Sequence, residues 1–286
     1  MRISRTATVA IAAGAMLVAT GLIAAPAGAS PARVAAAAAL PRPDHVVVLI
    51  EENHSYSQIN GVATYLTSLA NGGARFTQSF ATTHPSEPNY LALFSGSTQG
   101  LTNDSCPHTY SGTNLATALS GAGLSFAGYS ETMPSDGYTG CTSGKYARKH
   151  NPWVNFTNVS SSANLRFSRF PTDFTTLPKV SIVVPNLTND MHDGSITTGD
   201  NWARTNIGAY AQWAKTHNSL LIVTFDEDDS GHSNQIFTAF YGQSVKVGNY
   251  SERITHYSVL RTIENLYGLG CTGSACSATG ITDVWQ

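Results

Sequence analysis

Three short runs of this chain are apolar without alternation: HVVVLIEE from His45, VSIVVPNL from Val180 and SLLIVTFDED from Ser219. A strand with one wet face alternates apolar and polar residues. Unbroken runs of this length need cover on both sides, as in a parallel sheet packed between helices. Helical patterns lie between and after them. NLATALSGAG ends in glycines able to cap it. NWARTNIGAYAQWAKTHN sets Trp202, Ile207, Tyr210 and Trp213 near one side and stops at Asn218. HYSVLRTIENLYGLG gathers Val259, Leu260, Ile263, Leu266 and Tyr267 on one stripe before Gly268. This order of elements predicts an α/β fold with a mostly parallel central sheet and helices on both faces.

The first residues stand apart from that pattern. Arg2 and Arg5 precede ATVAIAAGAMLVATGLIAA and then Ala27-Gly28-Ala29, which predicts a cleaved export signal over residues 1–29. An uncleaved anchor is the rival reading, because the run approaches membrane-spanning length. Residues 30–43 are small, Ala-rich and Pro-containing, as in a flexible lead-in, and residues 44–286 form the expected domain. Within it no segment is apolar enough for stable membrane insertion. Four cysteines, Cys106, Cys141, Cys271 and Cys276, are an even number in an exported chain and point to disulfides. Three pairings are open, and Cys106–Cys141 with Cys271–Cys276 is the most local. Neither spacing resembles a zinc knuckle. Secretion follows as the expected location. Only 12% of the residues are charged and no basic run occurs, which argues against a nucleic-acid partner.

Acidic groups fall where the apolar runs end. Glu51, Glu52 and Asn53 close the first run, and Asp226, Glu227, Asp228 and Asp229 close the third. Ligands in open α/β sheets bind at the carboxyl ends of strands, so the two groups can share one crevice. Several carboxylates in one crevice repel each other unless a cation lies among them, and a metal site follows. Ser86, within THPSEPNYLALFSG, falls at a helix entrance with Pro88 in the first turn. There it can cap the helix or face an anion held by the free amides. Lys145, Arg148, Lys149 and His150 group in one loop, a possible phosphate holder or a solvated charge cluster. Asn186, Asp190, His192 and Asp193 follow the second run, and His256 opens the last helix. Long Ser/Thr/Gly-rich stretches over residues 98–113 and 130–162 suit walls or lids of a site.

Six blocks in order, VVVLIEENHSY, THPSEPNYLALFSG, KHNPW, VPNLTNDMHDG, VTFDED and THYSVLRTIENLYGL, together span most of the chain beyond residue 44. They resemble the bacterial phosphoesterase family of secreted acid phosphatases and phosphocholine-preferring phospholipases C, within the alkaline phosphatase superfamily. The resemblance is nearest to the short secreted acid phosphatases, some of which act on phosphatidylinositol 3-phosphate. It implies an alkaline-phosphatase-like core and a divalent metal held by Glu52, Asn53, Ser86, Asp226 and Glu227. It implies Ser86 as nucleophile, Asn89, Lys149 and His150 as substrate-binding residues, and His192 or His256 as proton donor. The implied partner is a phosphorylated small molecule or phosphoinositide.

The match has departures. Where the phospholipase branch has E-N-R-S-F-D, this chain has Glu52-Asn53-His54-Ser55-Tyr56-Ser57. DEDDSGH replaces a Gly-rich D-E-x-G-G-F pattern, which puts any part for Asp228 or His232 in doubt. Tyr90 stands where sulfatase maturation needs Arg. The implied activity is therefore a phosphatase acting on monoesters. Phospholipase C is the alternative, and a non-catalytic secreted binding module the second.

Overall fold

The strands, in chain order, are β1 His45–Glu51, β2 Ala74–Phe76, β3 Ser79–Phe80, β4 Phe126–Ser130, β5 Thr142–Ser143, β6 Tyr146–Ala147, β7 Asn164–Arg166, β8 Val180–Val184, β9 Ser219–Phe225, β10 Thr238–Gly242, β11 Gly248–Tyr250 and β12 Ile254–Thr255. The α-helices are α1 Tyr56–Ile59, α2 Thr64–Asn71, α3 Ser86–Ser95, α4 Leu115–Gly121, α5 Ile196–Ala214 and α6 His256–Tyr267. This computed structural model describes residues 6–12 and 40–286. The expected export signal (1–29) and lead-in (30–43) lie outside the described residues except for 6–12 and 40–43. No helix among the described residues is long and apolar enough to cross a membrane.

The main sheet has the order β11-β2-β10-β9-β1-β8-β4-β7. The three apolar runs are thus neighbours at its centre, β1 lying parallel between β8 and β9. Only β10 runs against the rest, antiparallel to both β9 and β2. The sheet is mixed and mostly parallel, as the unbroken runs require.

Alternation along β1 explains why the run is apolar throughout. Val46, Val48 and Ile50 pack on one face with Leu91 and Phe94 of α3, Leu119 of α4 and Leu260 and Ile263 of α6. Val47 and Leu49 pack on the other with Leu66 and Leu69 of α2 and Ile207 and Tyr210 of α5. Each such burial contributes roughly 1.5–3 kcal/mol, so a polar residue at any of these positions would be costly.

Some elements differ from the sequence expectation. Helix α5 starts at Ile196, ahead of Asn201, because the Ser195 side chain accepts a bond from the Thr198 N–H at 3.1 Å and caps it there. Strand β4 was not expected. Its Gly128 leaves the space that the Trp153 indole fills, a packing need with no local signature. The stretch over 130–162 carries the β5–β6 hairpin and several 3-10 turns in place of an irregular loop. Both disulfides take the most local pairing, and Cys106–Cys141 ties the 98–113 stretch to the 130–162 stretch.

Candidate active site

Strand alternation selects which acids meet. Ile50 faces α3, so Glu51 turns to the opposite face and Glu52 returns to the α3 side. The same count along β9 sets Ile222 on the α3 face and brings Asp226 back to it. Asp226 N–H donates to the Glu51 carbonyl at 3.0 Å, and Asn53 N–H donates to Asp226 Oδ1 at 3.1 Å, locking the two strand tips together. Asn53 has φ 52°, a left-handed conformation that Asn tolerates better than most residues. That turn carries its side chain in among the acids.

Ser86 is the first residue of α3, and Pro85 precedes it as the cap position. Its hydroxyl does not cap. Oγ lies 3.1 Å from Glu52 Oε2 and 3.3 Å from Glu227 Oε1, within donating reach of either. The side-chain amide of Asn53 stands 3.1 Å from Glu52 Oε2 and 3.3 Å from Glu227 Oε1, and with its nitrogen turned towards them it donates to both. The same amide turned the other way offers its oxygen to a cation shared with the two carboxylates. Asp226 Oδ2 is also buried without a partner. Carboxylates, an amide oxygen and a hydroxyl form a hard-oxygen donor set that fits a divalent cation.

The electrostatics agree with a site built around positive charge. Burial, then repulsion from Asp226 and Asp190, pushes Glu52 well above the usual carboxylate range. Burial and the neighbouring Glu227 push Asp226 up to about 8. Glu227 rises to about 7, mainly through burial and against the bond from Ser86. Acids packed this closely need positive charge among them, from protons or from a cation.

Behind the acids lies a supporting layer. Tyr90, one helical turn beyond Ser86, donates its hydroxyl to Glu52 Oε1. Its ring stacks on His150, with centroids 5.1 Å apart. His150 is only 1% exposed and sits between two acids, Nε2 3.2 Å from Glu52 Oε1 and Nδ1 3.4 Å from Asp190 Oδ2. Asp190 in turn accepts the His192 N–H at 2.8 Å, and its carbonyl receives the Glu52 N–H at 2.8 Å. His84 brings Nδ1 to 2.5 Å from Glu227 Oε2 and Nε2 to 3.3 Å from Asp228 Oδ1.

The other residues expected from the sequence make defined contacts within the protein. Asn89 staples the loop ahead of α3, its Oδ1 accepting from the Thr82 and Thr83 N–H groups at 3.0 Å each. Lys149 Nζ is bonded to Asp104 Oδ2 at 2.8 Å. Burial alone would lower Lys149, but that bond and the charge of Glu52 hold it above its ordinary value. Lys145 pairs with Asp193, and Arg148 spends its guanidinium on the Thr139 and His108 carbonyls and on Asn155. His192 is partly exposed with Nδ1 2.8 Å from Asp193 Oδ1. His256 is buried, its Nε2 at 2.6 Å from the Asp226 carbonyl oxygen, and burial pushes it down to about 4. Asp228 closes its own loop on the N–H groups of Ser230, His232 and Asn234, and His232 pairs with Asp229. Sequence reasoning missed Tyr90 in this site, although its i+4 spacing from Ser86 was a usable signal. It also missed His84 and Asp104, which only tertiary structure brings in.

The sequence model of the Phosphoesterase family matches residues 60–270. The chain is 52% identical over 274 residues to a phosphatidylinositol-3-phosphatase of Mycobacterium tuberculosis, covering 94% of this chain and 92% of that one. It is 34% identical over 226 residues to an acid phosphatase of Aspergillus fumigatus, covering 72% of this chain and 51%, about half, of the fungal protein. Among solved structures, an alkaline phosphatase superfamily protein of Vibrio parahaemolyticus superposes with a TM-score of 0.60 at 12% identity, over 85% of this chain and 72% of that one. That last likeness is one of fold.

Proposed function

Because the chain belongs to the Phosphoesterase family, we propose that it is a secreted, metal-dependent phosphatase that hydrolyses phosphate monoesters through a phosphoserine on Ser86. The observation that carries this reading is the Ser86 hydroxyl. It is free of any capping duty at the start of α3 and stands 3.1 Å and 3.3 Å from two acids that the Asn53 side-chain amide also faces. A helix-cap serine would point at its own backbone.

Glu52, Asn53, Ser86, Asp226 and Glu227 would hold a divalent cation, which when bound supplies positive charge to the serine oxygen and to a phosphate oxygen. Ser86 Oγ attacks phosphorus in line, losing its proton to the acid cluster, and the bond to the leaving alkoxide breaks. Glu52 is kept aimed at Ser86 by Tyr90 and His150 behind it. His192 is favoured over His256 as the donor of the leaving group's proton. It is partly exposed, whereas His256 is buried and held neutral, with Nε2 committed to the Asp226 carbonyl. In the second half, water attacks phosphorus and gives a proton to His192, the Oγ–P bond breaks, and Ser86 Oγ takes its proton back from the acid cluster as inorganic phosphate leaves.

The name of the mycobacterial relative makes a phosphoinositide phosphorylated at the 3-position the first substrate to try. The test is phosphate release from phosphatidylinositol 3-phosphate, sugar phosphates and nucleotides, with divalent cations added. Release of inorganic phosphate supports the reading. Turnover only of diesters, with a phosphorylated head group as product, would replace it with phospholipase C.

A further inference from the structure

The start of α3 already has an anion. Asp104 Oδ1 accepts the Glu87 N–H at 2.9 Å, and its Oδ2 accepts Lys149 Nζ at 2.8 Å. Glu87 directly follows Ser86, so this amide and this ammonium are the donors that a phosphate on Ser86 would draw upon. A carboxylate thus fills two donor positions with the two oxygens of one planar group. The contact is half-buried, with the Lys149 and Asp104 side chains 20% and 26% exposed.

The arrangement is built in. Cys106, two residues beyond Asp104, is bonded to Cys141, and Arg148 Nη2 holds the His108 carbonyl at 3.0 Å. The loop bearing Asp104 is therefore fastened to the segment bearing Lys149. Asp104 also sets a negative charge directly at the start of α3, against the Glu87 amide and Lys149. A phosphate dianion arriving beside it meets repulsion as well as an occupied donor pair.

We propose, building on the phosphatase reading, that Asp104 is a resident competitor for the phosphate subsite, displaced from Lys149 and the Glu87 amide when substrate binds and returning to expel the product. It sets how tightly phosphate is held. The opposite role, an aspartate that merely orients Lys149 for phosphate, makes the contrary prediction.

The test compares wild type with Asp104→Asn and Asp104→Ala in the cation-loaded enzyme. The Asn variant keeps the shape and an acceptor for Glu87, so it guards against a folding defect in the Ala variant. The readouts are KM and kcat on p-nitrophenyl phosphate, the inhibition constant of inorganic phosphate, and phosphate binding by calorimetry. Removing one like charge at this range is expected to tighten phosphate about tenfold and lower KM in step, with kcat equal or reduced as release slows. Constants that rise or stay unchanged in both variants overturn the proposal. Those outcomes differ from failure of the phosphatase reading, which would appear as a wild type that releases no phosphate at all.

Discussion

Tyr90 donates its hydroxyl to Oε1 of Glu52, and this leaves Oε2 of the same carboxylate facing Ser86 at 3.1 Å. One helix therefore supplies both the proposed nucleophile and, a turn later, the group that aims its acidic neighbour. Tyr90→Phe removes one hydroxyl and keeps the ring against His150. Groups that orient a metal ligand typically affect metal affinity or activity by about 10–100-fold. The variant is expected to stay folded and to need correspondingly more cation for half-maximal turnover. An unchanged cation dependence would mean that Tyr90 serves packing alone.

The raised carboxyls predict a pH-dependent stability with an unusual sign. Asp226 goes from an ordinary 3.8 to about 8, Asp190 from 3.8 to about 7, and Glu227 from 4.5 to about 7. A raised carboxyl means that the folded protein binds protons which the unfolded chain has released. Stability of the metal-free protein is therefore fullest below the unfolded values and falls as pH rises through about 4 to 8. Thermal melts after chelation should show Tm lower at pH 8 than at pH 5 by at least about 4 °C. Added cation should restore more stability at pH 8, where protons no longer compete for the ligands. A metal-free Tm that rises across this window would contradict the cluster as drawn.

The Cys106–Cys141 bond closes a separation of 35 residues. A chain-entropy argument gives a contribution of about 3–4 kcal/mol for a loop of that size. The paired change Cys106→Ser with Cys141→Ser is expected to lower Tm. It should also loosen the loop that bears Asp104. Guanidinium unfolding measures the first effect and phosphate inhibition the second. A variant as stable as wild type would show that the loops are held by their other contacts, such as Arg148 with His108.

Much of the fold was legible because burial on two faces leaves an unmistakable trace. Val46 to Ile50 and Leu220 to Val223 have no polar break, and only a covered sheet accepts that. The acids that follow were legible as a group, and the sheet's alternation explains why Glu52 rather than Glu51 turns towards Ser86. Short strands were not legible. In β4 the informative residue is Gly128, whose absent side chain makes room for Trp153, a contact between distant parts of the chain. The basic segment over Lys145 to His150 reads by composition as one unit, either a phosphate holder or a solvated charge cluster. Tertiary structure divides it, sending Arg148 to carbonyls, Lys149 to Asp104 and His150 between Glu52 and Asp190. Side chains adjacent in sequence on a 3-10 turn diverge in direction, so no linear pattern announces such a division.

The central claim is that one cation gathers Glu52, Asn53, Ser86, Asp226 and Glu227. Anomalous scattering from crystals of the protein soaked in Mn²⁺ tests it most directly. The account predicts a peak within coordinating distance of all five side chains, lost in a Glu52→Gln, Asp226→Asn double variant. A peak elsewhere, or a peak in this pocket that leaves Ser86 outside its coordination, would contradict it.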